Sequence, residues 1–121
     1  MPHLILEHSD LVAPFDHRAL FAELHAVLER TGEFQLAQMK SRAVARARCY
    51  IGAGDPENIF VHLTVYILSG RPVGLRKKIG AELLEVLTRQ LAKSVAGRPS
   101  DITVDIREMD RETYAKEQRR G

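Results

Sequence analysis

The stretch from Ile59 to Ile67, Ile-Phe-Val-His-Leu-Thr-Val-Tyr-Ile, constrains this chain more than any other. It is crowded with β-branched and aromatic residues, the composition of a strand. Apolar side chains fall on both of its faces, so both faces call for cover.

The flanking segments supply one kind of cover. Ser69-Gly70-Arg71-Pro72 opens a long helix with Pro72 in its first turn. Leu75, Ile79, Leu83, Val86, Leu87 and Leu91 form its inward stripe, and Gly97 and Pro99 end it. Residues 101–107 then alternate as a last strand. The N-terminal half has the same order. Residues 3–7 read as a short strand, and Ser9, Asp10 and Pro14 mark a turn. Asp16 caps a helix with Leu20, Phe21, Leu24, Val27 and Leu28 on one side and a stop at Gly32. Residues 38–49 alternate with a period of two. One face carries Lys40, Arg42, Val44, Arg46 and Arg48; the other carries Ser41, Ala43, Ala45, Ala47 and Cys49. Alanine content keeps a helix in competition there. Gly52, Gly54, Asp55 and Pro56 form the turn between the halves. Beyond Asp110 the tail is highly charged, with room for a short helix around Thr113–Lys116.

The order strand-helix-strand thus occurs twice. His3-Leu4-x-Leu6 and His62-Leu63-x-Val65 open corresponding strands and hint at an internal duplication. The predicted fold is α/β (α+β): two βαβ units in one four-stranded mixed sheet, with both helices on one face. The expected organisation is a single domain over 1–121, with halves at about 1–55 and 56–109 and the tail at 110–121. The other sheet face is left bare, which predicts that another subunit covers it.

Composition narrows the function classes. The 121 residues suit one domain, and no apolar run is long enough to span a bilayer. The N-terminus lacks the basic start and apolar stretch of a signal peptide, so a cytoplasmic protein is expected. Cys49 is the sole cysteine, which excludes an intrachain disulfide and reads as a small buried hydrophobe. A net charge of +2 is too balanced to argue for a polyanionic partner.

Pro2 is the most unusual candidate. Methionine before proline is commonly removed, and the exposed proline nitrogen is then a secondary amine. Burial and nearby cations lower such an amine's pKa and make it a usable base. Many chains begin Met-Pro without consequence, so this reading needs support from elsewhere. Arg71 precedes a helix N-terminus, a setting that suits a carboxylate or phosphate; a solvated loop arginine is the plainer alternative. Lys40 and Arg42 are positioned to meet an anion. Arg46 and Arg48 read better as the solvent face of an edge strand. His3 and His62 lie inside strands and read as satisfied core or interface residues. His17 and His25 are too far apart on their helix to share a metal. No dinucleotide fingerprint or phosphate-binding loop occurs.

Together these residues resemble the 5-carboxymethyl-2-hydroxymuconate isomerases of the tautomerase superfamily. The resemblance rests on Met1-Pro2-His3-Leu4-Ile5, Glu7, Ser9-Asp10 and Ser41-Arg42-Ala43. Its most specific part is Phe60-Val61-His62-x-Thr64-x-x-Ile67-x-x-Gly70-Arg71, continued by Arg76 and Gly80. It spans nearly the whole chain and thins after about Met109. The resemblance implies a homotrimer with sites near subunit contacts, and a catalytic N-terminal proline, Pro2. It also implies that no metal or organic cofactor is used, and that the substrate is a small di- or tricarboxylate. It places the activity in homoprotocatechuate breakdown and makes Arg42 and Arg71 substrate-binding candidates. Lys40 stands where the family is expected to carry arginine, so it keeps the charge but loses the bidentate fork.

Other readings compete. An N-terminal proline also serves other tautomerisations, decarboxylation and dehalogenation of small unsaturated acids, and a lapsed paralogue would keep the fold alone. An RNA-binding module shares the two-βαβ order. Such modules stack bases on strand aromatics, and aromatics make up only 6% here, with no tryptophan.

Overall fold

The computed structural model describes residues 1–121. Its elements are β1 (His3–Ser9), α1 (His17–Arg30), a 3-10 turn (Leu36–Gln38), β2 (Lys40–Arg46), β3 (Ile59–Leu68), α2 (Val73–Gln90) and β4 (Ser100–Met109). The sheet order is β2-β1-β3-β4. β1 runs parallel to β2 and antiparallel to β3, and β3 runs parallel to β4. Each βαβ unit therefore supplies one parallel pair, and the two units join at β1 and β3.

Alternation in β3 sets the layering. Ile59, Val61, Leu63, Val65 and Ile67 are buried, and the residues between them are half-buried. The buried set joins Leu4 and Leu6 of β1, Leu20, Leu24, Val27 and Leu28 of α1, and Ile79, Leu83, Val86 and Leu87 of α2 in one core. Both helices cover this face. Truncating Leu24 or Leu83, each fully buried, would cost about 2–5 kcal/mol. His3, Ile5, Glu7, Phe60, His62, Thr64 and Tyr66 occupy the alternate positions and face away from the helices.

Local signals explain the helix ends. The Asp16 carboxylate accepts from Ala19 N at 3.0 Å, as the N-cap reading expected. Gly70, at φ +117°, lets β3 turn into α2. Pro72 sits at the cap of α2 rather than in its first turn. That helix ends at Gln90, and successive turns carry the chain on to Gly97.

Three expectations need correction. The alternating stretch 38–49 is a strand only over 40–46. Gln38 closes a 3-10 turn, and Arg48 adopts φ +58°, which takes it off the strand. Cys49 is therefore exposed in the following loop, not buried. The tail makes a turn after Asp110 and no helix around Thr113–Lys116. No helix of the chain is long and apolar enough to cross a membrane.

Candidate active site

Strand register gathers the candidates at one end of the sheet. His3 lies opposite Lys40 on one side and Tyr66 on the other, and Tyr66 lies opposite Arg107. Pro2 is buried just before β1, and its carbonyl accepts from Lys40 N at 3.1 Å. The parallel β1–β2 ladder thus begins at Pro2.

The N-terminal amine, on Met1, donates to the Gln38 carbonyl at 2.9 Å. Lys40 Nζ donates to the same oxygen at 3.1 Å. Lys116 Nζ, arriving from the tail, donates to Gln38 Oε1 at 2.9 Å. Burial first, then the charges of Lys40 and Lys116, hold the amine below its ordinary pKa of 8.0. Both effects disfavour the protonated form, so the free-base amine is populated more readily than at an ordinary terminus.

His3, which reads from the sequence as a satisfied core or interface residue, lies beside these groups. Arg42 Nη1 donates to His3 Nδ1 at 3.0 Å. A guanidinium only donates, so Nδ1 is an acceptor and the neutral ring carries its proton on Nε2. That nitrogen faces Tyr114 Oη at 3.5 Å. Burial, then Arg42, the N-terminal amine and Lys40, lower the His3 pKa. His3, Arg42, Tyr66, Met109 and Tyr114 line an open cavity of about 260 Å³. A groove of about 390 Å³ between α2 and β4 is larger, but its lining is mainly Val73, Ala81, Leu84, Val104 and Ile106. Apart from Arg76 and Lys77 it offers no polar chemistry, so the smaller cavity is the better candidate.

Arg71 belongs to a neighbouring arrangement. Its Nη1 donates to the Leu68 carbonyl at 3.2 Å and its Nη2 to the Glu33 carbonyl at 3.0 Å. The guanidinium lies 4.4 Å over the Phe34 ring, and its buried Nε has no partner. These contacts fix its position next to the end of β3. They leave further N–H groups on both terminal nitrogens for an anion.

The other strand arginines divide differently. Arg46 pairs with Glu7 at 2.9 Å, and Arg48 has left the strand. Arg76, Arg89, Arg98, Arg107 and Arg119 also bridge to carboxylates. Lys40, Arg42, Arg71 and Lys116 bridge to none. Lys40 and Lys116 beside the amine, and Arg42 on His3, are thus cations without a carboxylate partner, a grouping that suits a small polyanion. Other unbridged cations, such as Arg18, Lys77 and Lys93, lie on or after the helices. No group of three or more His, Cys, Asp or Glu side chains is arranged to hold a metal.

Tyr114 and Lys116 fall in the tail stretch Arg111-Glu112-Thr113-Tyr114-x-Lys116, which looks family-like in the sequence but has no role assigned there, and they reach the site from 111 and 78 residues away along the chain. No spacing rule covers such a contact. The His3–Leu4 match within the duplicated pattern was the available hint for His3.

Residues 2–119 match the family model described as CHMI, 5-carboxymethyl-2-hydroxymuconate isomerase. The chain is 31% identical over 110 residues to a 5-carboxymethyl-2-hydroxymuconate Delta-isomerase of Escherichia coli, covering 90% of this chain and 87% of that protein. A crystal structure of a 5-carboxymethyl-2-hydroxymuconate isomerase from Deinococcus radiodurans R1 superposes with a TM-score of 0.88 at 28% identity, covering 98% of this chain and 90% of that one. A fused 4-OT wild type symmetric trimer shares the fold, with a TM-score of 0.71 at 19% identity over 89% of this chain and 85% of that chain. The chain therefore belongs to the 5-carboxymethyl-2-hydroxymuconate isomerase family, a family of isomerases with the tautomerase fold.

Proposed function

We propose that this protein isomerises 5-carboxymethyl-2-hydroxymuconate, using the amine of Pro2 after Met1 has been removed. The observation that carries the reading is the N-terminal amine at the head of β1, held on Met1 below its ordinary pKa and flanked by Lys40 and Lys116, which no carboxylate neutralises. Removal of Met1 transfers the free amine to Pro2, one residue nearer His3 and Arg42.

As a free base, that amine accepts the enol hydroxyl proton of the substrate. The electron pair moves through the conjugated diene, and the resulting ammonium returns the proton to carbon. An enol becomes an unsaturated ketone, with no net change in atoms or electrons. Arg42, Arg71 and Lys40 hold the carboxylates and the charge that builds up on oxygen during transfer. The groups are aimed beforehand: β2 register places Lys40 and Arg42, and backbone carbonyls place Arg71. The protein needs no cofactor for this step, because the base and the electrostatic partners all come from the chain.

The bare sheet face gives assembly a role. We infer a homotrimer in which that face is covered and sites form near subunit contacts, as one 4-OT neighbour is itself a trimer. The expected setting is a cytoplasmic enzyme of homoprotocatechuate breakdown, acting as one domain over 1–121. Lys40 favours one alternative. A point charge in place of an arginine fork suits a different small unsaturated acid of the same reaction class.

The test combines intact mass with an enol-ketonisation assay. Mature protein should lack Met1, and Pro2→Ala should lose at least about 100-fold in turnover. Full turnover with Met1 retained, or in the Pro2→Ala variant, overturns the reading.

A further inference from the structure

After β4 the chain does not leave the molecule. Asp110 turns it back: its carbonyl accepts from Thr113 N at 3.2 Å and Tyr114 N at 3.1 Å, and its carboxylate accepts from Glu112 N at 2.9 Å. Arg111 then pins the turn. Its Nε and Nη2 both donate to the Ser69 carbonyl, at 3.1 and 3.0 Å, beside Gly70 and Arg71. Tyr114 is half-buried against His3 and forms one wall of the cavity. Lys116 reaches Gln38, the residue that already holds the amine and Lys40. Its ammonium uses one of three N–H donors on Gln38 Oε1 and has no carboxylate partner.

We propose that the tail segment 110–116 is a strap belonging to the active site, in which Lys116 is a further substrate-carboxylate ligand and Arg111 the residue that positions it. The proposal rests on the reading of this cavity as the isomerase site. It adds a recognition element that arrives from outside the two βαβ units. The contrast with Arg119 supports it: that tail arginine lies just beyond the strap, pairs with Glu117 and is exposed. Lys116 also shares Gln38 with the N-terminal amine, whose pKa on Met1 its charge helps to lower.

The experiment measures binding and turnover separately on the full-length mature protein. The binding probe is cis,cis-muconate, a small unsaturated dicarboxylate, titrated by calorimetry. Lys116→Gln should weaken binding about tenfold, the loss of one charge-assisted contact, and Lys116→Arg should restore it. Arg111→Gln should weaken binding in the same direction, because the strap loosens. Arg119→Gln removes the same charge without touching the strap and should bind as wild type. The Lys116→Gln variant should also show a higher midpoint in its kcat/KM pH profile, which a merely structural residue would not shift.

Lys116→Gln binding like wild type overturns the strap, whatever the turnover of Pro2→Ala. Equal weakening by Arg119→Gln overturns it too, since bulk charge would then explain the effect. Probe binding that depends on Lys116, in a protein that turns over no enol substrate, supports the strap and defeats the isomerase reading. Wild type that binds no dicarboxylate overturns both.

Discussion

The two βαβ units share a layout but differ at the corresponding strand starts. In the first, His3 lies opposite Lys40 and Ile5 opposite Arg42. In the second, His62 lies opposite Thr103 and Thr64 opposite Asp105. Two cations in one unit are thus matched by a hydroxyl and a carboxylate in the other. His3 accepts from Arg42, whereas His62 bonds Thr103 Oγ1 at 2.6 Å. Asp105 in turn bridges to Arg107 at 2.5 Å, so that carboxylate is neutralised within its own strand. Only the first unit begins at a free amine. The strand starts of the two units thus differ in charge on one backbone plan, while Arg71, the other candidate anion ligand, follows β3 of the second unit.

The largest effect should come from removing the feature unique to the first unit. Pro2→Ala replaces a secondary amine with a primary one and changes its basicity and geometry; ketonisation kinetics should show the loss of about 100-fold or more. Arg42→Gln should follow, lowering kcat/KM by about 10- to 100-fold through a lost charge-assisted contact. Loss through KM alone would make Arg42 a ground-state anchor, and loss through kcat would place its contact in the transition state. The mirror change in the second unit, Thr103→Val, should cost only about 1 kcal/mol in a denaturant melt and leave kcat/KM unchanged. A matching loss of activity there would dissolve the contrast between the units.

The smallest effect concerns His25, which bonds Ser41 Oγ at 2.6 Å between α1 and β2. Burial lowers its pKa below 6.5. The unfolded chain then binds the proton more readily than the folded one. Stability should fall as pH drops through the unfolded value near 6.5, and level off below the folded pKa. Thermal melts at pH 7.5 and 5.5 should show a smaller acid-side drop in His25→Gln than in wild type.

Much of the scaffold was legible because it rests on local periodicity. The alternation of residues 59–67 and the three-four spacing of Leu20, Leu24, Val27 and Leu28 each mark a buried face directly. The stretch 38–49 misled at both ends, because alanine, cysteine and arginine carry little strand preference once the ladder with β1 stops at Ser9. Pro2 stood out through its chemistry, and Lys40, Arg42 and Arg71 through charge at an element edge. The contacts of Tyr114 and Lys116 depend on the tail folding back, and that of His3 with Arg42 on the pairing of β1 with β2, so none follows from local spacing. Arg71 shows the opposite limit: its type and place were readable, but its carbonyl partners and its stacking on Phe34 were not.

The pH dependence of kcat/KM for mature protein, measured beside Lys40→Gln, tests the central claim most directly, because it reports the free enzyme's essential base. The account predicts a rise with pH as the amine loses its proton, and a higher midpoint when the Lys40 charge is removed. A midpoint that Lys40→Gln leaves unmoved would contradict a cation-depressed amine as the base.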